Sequence, residues 1–90
     1  MPKLITNKQY TKSAGKFLKK NPHLVRQYYK TLLLLETNPS HPSLRLHKLK
    51  GNLSEFYSVS INAAYRIMLY FIMIEDTIML VSIGTHDEVY

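Results

Sequence analysis

Apolar positions early in the chain recur at helical spacing: Tyr10, Ala14, Phe17 and Leu18 stand at i, i+4, i+7 and i+8. Thr6 or Asn7 supplies an N-cap for this helix, and a short strand over residues 3–6 precedes it. Asn21-Pro22 then ends one helix and starts the next, with Asn21 as N-cap and Pro22 at the first helical position, where its missing N–H goes unnoticed. The second helix, about 22–37, carries Leu24, Val25, Tyr28, Leu32 and Leu35 on one face. Leu32 to Leu35 is an unbroken run, and at about 100° per residue it covers most of the helix circumference. Leu33 and Leu34 are therefore expected either to await a partner protein or to be covered by the loop that follows.

Pattern changes after residue 37. Asn38-Pro39-Ser40-His41-Pro42-Ser43 is a loop by its prolines and small polar residues. A strand is expected over 44–49, leading to a turn at Gly51-Asn52. Over 56–61 the chain alternates, with Tyr57, Val59 and Ile61 on one face and Phe56, Ser58 and Ser60 on the other. Residues 65–74 are apolar on both faces, as in a central strand, and Glu75-Asp76-Thr77 turns into a last strand over 78–83. The expected class is α+β in a single domain spanning 1–90. Its order is β-α-α-β-β-β, the helical hairpin packing on one face of a twisted, mainly antiparallel four-stranded sheet.

Composition adds a partner class. A formal net charge of +6 and a pI near 9.7 favour a polyanion or an acidic protein. The 90 residues include no cysteine, which removes disulfides and thiolate metal sites. The start Met1-Pro2-Lys3-Leu4-Ile5 lacks the apolar core of a signal peptide, so a cytoplasmic protein is expected. The longest apolar stretch, 67–74, is far short of the roughly 20 residues that span a bilayer, so no membrane partner is expected.

Groups able to move protons or hold phosphate collect in two segments, His47-Lys48-Leu49-Lys50-Gly51 and the tail Gly84-Thr85-His86-Asp87-Glu88-Val89-Tyr90. Gly84 is expected to release the last strand and leave His86 and Tyr90 at its exit. Arg66, the only charged residue in 65–74, shares a face with Met68 and Tyr70. It is either half of an ion pair with Glu55, Glu75 or Asp87, or a phosphate ligand whose planar fork matches phosphate oxygens. Arg45, Lys48 and Lys50 add charge near His47, and Lys12, Lys16 and Lys19 make the outside of the first helix basic. When the 2′-hydroxyl of RNA attacks its own phosphate, a base takes the hydroxyl proton. Cations stabilise the pentacoordinate phosphorus, and an acid protonates the leaving 5′-oxygen. His47, Arg66, Lys50, His86 and Tyr90 can fill those roles, and no metal or other cofactor is expected.

Taken together, the basic helical hairpin, the loop His41-Pro42-Ser43-Leu44, the segment His47 to Leu53, the strand start Tyr65-Arg66-Ile67 and the Gly84-Thr85-His86 to Tyr90 tail resemble the RelE/ParE superfamily of type II toxin-antitoxin toxins. The chain is most similar to the RelE and YafQ branch. That resemblance implies an mRNA endoribonuclease acting in the ribosomal A site by metal-independent acid-base chemistry. It implies His47, Arg66, His86 and Tyr90 as catalytic positions, contacts with mRNA and ribosomal RNA, and a cognate antitoxin that alone reaches operator DNA. Where many relatives carry further histidine, aspartate or arginine in the third strand, this chain has Val59, Ser60 and Asn62. The alternatives that the resemblance implies are a ParE-like inhibitor of DNA gyrase and a non-catalytic corepressor module.

Overall fold

The computed structural model describes residues 2–85, so the roles expected of His86 and Tyr90 fall outside the described residues. Strand β1 (Lys3–Ile5) leads into helix α1 (Lys8–Lys20), which Asn7 caps by accepting the Tyr10 N–H at 2.8 Å. A 3-10 turn, Pro22–Leu24, runs directly into helix α2 (Val25–Thr37). Asn21 serves the first helix instead of the second: its amide donates to the Phe17 carbonyl at 2.9 Å and makes no N-terminal side-chain cap. Four short strands follow: β2 (His47–Lys48), β3 (Tyr57–Ser60), β4 (Tyr65–Ile72) and β5 (Thr77–Thr85).

The architecture is the expected α+β one, with helices on one face of a mainly antiparallel sheet, but the sheet has five strands in the order β1-β5-β4-β3-β2. Each of the five segments read as a strand contributes one, that over 44–49 only as His47–Lys48, a two-residue ladder with Tyr57 and Ser58. Most of the strand expected over 44–49 is taken up otherwise: Pro42–Leu44 forms a 3-10 turn, capped by the His41 Nδ1, which accepts the Ser43 N–H at 3.2 Å. Strand β1 lies parallel to β5 at one edge, and the other pairs are antiparallel.

Strand β5 does not end at Gly84. Leu69 pairs with Leu80 and Met68 with Ser82, which leaves Val81 as an extra residue in a β-bulge. The bulge resets the alternation, so Ile83 and Thr85, paired with Ile67 and Tyr65, face the helices as Ile78 and Leu80 do before it. Gly84 consequently sits within the ladder, opposite Arg66.

Tyr10, Phe17, Tyr28 and Leu35 from the helices pack with Val59, Ile67, Leu69, Ile78 and Leu80 from the sheet in one cluster. Each such large apolar side chain contributes roughly 1.5–3 kcal/mol through burial. On α2 the buried row includes Thr31, whose hydroxyl donates to the Gln27 carbonyl at 2.8 Å, whereas Val25 is exposed. The leucine run divides: Leu35 is fully buried, Leu32 and Leu34 pack against the core, and Leu33 is 59% exposed. The following loop contributes Leu44, at 1% exposure, to the same core.

Candidate functional site

The sheet face away from the helices gathers His47, Ser58, Ser60 and Arg66. Side chains alternate across a strand, so the outward residues of β3 and β4 are Ser58, Ser60, Arg66 and Met68, while Val59 and Ile67 face the core. His47 pairs directly with Ser58 and therefore projects on the same side. Arg66 lies diagonally across from Ser58, within reach of a long side chain.

Arg66 is held by three acceptors and no carboxylate among the described residues. Its Nε donates to the Ser58 Oγ at 2.8 Å. Its Nη2 donates to the Arg45 carbonyl at 3.1 Å and to the His47 Nδ1 at 3.1 Å. The ion pairs with Glu55 and Glu75 do not form, and Asp87 lies outside the described residues. Ser58 is completely buried although it faces outward. Among the described residues nothing takes the Nη1 hydrogens, so that edge of the fork is available to a phosphate.

Backbone geometry helps to build this cradle. Arg45 adopts φ 48° and ψ 46°, a left-handed conformation that closes the Pro42–Leu44 turn. A side-chain-bearing residue there costs on the order of 1–2 kcal/mol. A hydrogen bond from a charged donor contributes about 1.5–3 kcal/mol, enough to offset that strain. The contact with Arg66 also assigns the His47 tautomer. A guanidinium N–H can only donate, so the Nδ1 accepts and the ring proton resides on Nε2. The Arg45 carbonyl, 3.3 Å from the same Nδ1, is then a close neighbour of that nitrogen and not its hydrogen-bond acceptor.

Basic side chains border the cluster. Arg45, Lys48 and Lys50 are all exposed. A groove of about 370 Å³ runs along His47, Lys48, Lys50 and Asn52, where Gly51 takes the positive φ of 67° that its turn requires. Lys12, Lys16 and Lys19 are exposed on α1, which packs against the opposite face of the sheet, so they do not converge on Arg66. Two basic surfaces result, one on each side of the molecule. Sequence reasoning found His47 and Arg66 but missed Ser58 and the Arg45 carbonyl as their supports. The alternation that put Ser58 outward was its only available signal.

No protein-family model matches the sequence, and no curated protein matches it significantly. Solved structures do match over essentially the whole chain. A metal-bound toxin from Helicobacter pylori is 30% identical, with a TM-score of 0.80 and 100% of each chain covered. YafQ from Escherichia coli superposes with a TM-score of 0.80 at 13% identity, covering 100% of this chain and 99% of that one. The toxin-antitoxin complex YoeB–YefM from Staphylococcus aureus gives 0.74 at 22% identity, with 96% and 98% covered. Among the described residues no three histidine, aspartate or glutamate side chains are grouped to hold a metal ion.

Proposed function

The chain belongs to the RelE/ParE superfamily of toxin-antitoxin toxins, and from that premise we propose that it is an endoribonuclease that cuts mRNA in the ribosomal A site. The observation that carries this reading is the Arg66 guanidinium on the open sheet face, fixed by Ser58 and the Arg45 carbonyl and touching His47. A preset cation with one unspent edge suits a phosphate that gains negative charge during reaction. Nε and Nη2 are committed to Ser58, the Arg45 carbonyl and His47, which fixes the plane as a lysine ammonium could not be fixed and leaves Nη1 for the phosphate.

In the proposed reaction the 2′-hydroxyl gives up its proton and its oxygen bonds to phosphorus. The P–O5′ bond breaks, and the 5′-oxygen takes a proton. Arg66 binds a non-bridging oxygen through Nη1 with His47 against its Nη2, and the exposed Arg45, Lys48 and Lys50 raise the positive potential of that edge of the sheet. The proton-transfer roles fall to the tail residues His86 and Tyr90, on the strength of their chemistry and their place in the sequence. The products are a 2′,3′-cyclic phosphate and a 5′-hydroxyl, and no step needs a metal ion. Holding the mRNA in line for attack is the ribosome's part, a positioning contribution that reaches about 7–11 kcal/mol at its upper limit. A cognate antitoxin restrains the toxin, as YefM accompanies YoeB in the Staphylococcus aureus complex.

Induced expression followed by separate mapping of mRNA ends and DNA breaks tests the assignment. Ribosome-associated mRNA cuts are expected, and gyrase-linked DNA breaks without them would select a ParE-like activity instead. On programmed ribosomes, an mRNA with a 2′-deoxy nucleotide 5′ of the scissile bond is expected to resist. Efficient cutting of that substrate, or 5′-phosphate ends on the normal one, overturns the mechanism.

A further inference from the structure

A second hollow, of about 350 Å³, lies on the helix side of the sheet, between α1 and the ends of β4 and β5. Lys16 and Lys20, one helical turn apart, stand with Ser13 on its α1 wall, and α1 contains no acidic residue to neutralise them. Its floor carries the half-buried ring of Tyr65, braced edge-on by Phe17 with centroids 4.9 Å apart and planes at 76°. Asn21 spends its amide N–H on the Phe17 carbonyl, and among the described residues no donor takes its Oδ1. The hollow thus offers paired cations, an aromatic ring and an amide acceptor.

We propose that this hollow is a nucleotide subsite for RNA, in which a base stacks on Tyr65 while its phosphate rests between Lys16 and Lys20. The proposal rests on the reading of the chain as an RNA-cleaving toxin and extends it to a neighbouring nucleotide of the same strand. Tyr65 and Arg66 are consecutive on β4 and project to opposite faces, paired with Thr85 and Gly84 respectively. The guanidinium reaches across Ser58 toward β2, and Tyr65 is the first residue of β4, so a strand whose scissile phosphate sits on Arg66 would reach Tyr65 by passing around the end of the sheet where β4 begins. Stacking on an aromatic ring beside a cationic track is how single strands are commonly gripped. An acidic peptide fits less well, because the large exposed apolar side chains that would anchor it, Val25, Tyr29, Leu33 and Met73, all lie outside the hollow.

The test is an NMR titration of the isotope-labelled protein with a short single-stranded RNA, 2′-methoxy at every position so that it cannot be cut. Saturating shifts are expected at the amides of Ser13, Lys16, Lys20 and Asn21, tracking those around His47 with one apparent Kd. Shifts confined to the open sheet face overturn the proposal, as does an equal response of the hollow to polyglutamate. Tyr65→Phe is expected to bind like the parent, whereas Tyr65→Leu loses about fivefold or more in affinity. A folded Tyr65→Leu protein that binds as tightly as the parent also overturns it. Because the substrate is not cleavable, binding is read separately from catalysis. Loss of cleavage with the hollow still responding would count against the nuclease alone.

Discussion

Arg66 is costly to place and correspondingly informative. Its charge sits partly shielded on a central strand, and what keeps it there is a set of acceptors drawn from β3, β2 and the turn before β2. Arg66→Lys keeps the charge and removes the fork. Cleavage is expected to fall by about 10²-fold, as for loss of a preorganised charge donor, with the thermal midpoint moving only a few degrees. A midpoint that collapses while residual folded protein cuts normally would make Arg66 a structural residue. Ser58→Ala removes the Nε anchor and leaves the guanidinium in place, so cleavage should drop less than for Arg66→Lys, which parallel single-turnover rates on the two variants would show. The arginine was conspicuous in the sequence as the lone charge in an apolar strand. Its supports were hidden, because a serine at an outward position reads as solvent-facing and nothing about an arginine announces a left-handed backbone.

At the level of elements, the hairpin is joined internally by a pair of tyrosines. The Tyr10 and Tyr28 hydroxyls meet at 2.9 Å inside the core, one from each helix. Burial raises both phenol pKa values above the ordinary 10, and for Tyr10 the hydrogen bond to Tyr28 adds to the effect. A raised folded-state pKa means that stability is whole below the unfolded phenol's value and is lost as pH climbs above it. Stability should therefore decline above about pH 10, less steeply in a Tyr10→Phe/Tyr28→Phe protein. Either single Phe variant strands a buried hydroxyl and should cost about 1–3 kcal/mol, while the double variant should cost less than the two singles together. Urea denaturation of all four proteins decides this, and strictly additive losses would show that the pair is not coupled. Helix spacing revealed that Tyr10 and Tyr28 face inward, but their mutual bond depends on how the two helices cross. The β2 ladder was legible only in part: the strand expected over 44–49 shrinks to His47–Lys48, the two residues that Ser58 and Tyr57 pair.

At the scale of the whole molecule, most of the positive charge and most of the large exposed apolar side chains lie on different elements. The net charge of +6 is carried largely by α1 and by the Arg45 to Lys50 segment. Val25, Tyr29 and Leu33, 38%, 58% and 59% exposed, repeat at i, i+4 and i+8 along α2. An acidic antitoxin with an amphipathic helix would be steered by the first feature and retained by the second. The two contributions affect different rates: long-range attraction governs encounter, and desolvated apolar contacts govern escape. Raising salt from about 0.1 M to 1 M shortens the screening length from about 10 Å to 3 Å, and the association rate constant should fall by an order of magnitude or more. Leu33→Asp should instead raise the dissociation rate about tenfold, as expected when an apolar anchor is replaced by a charge. It should leave mRNA cleavage intact, because α2 lies on the other side of the sheet from Arg66. Stopped-flow association and dissociation measured on the same preparations separate the two effects. Unchanged dissociation in Leu33→Asp would remove the α2 stripe from the antitoxin interface, and salt-independent association would remove steering by the basic surfaces.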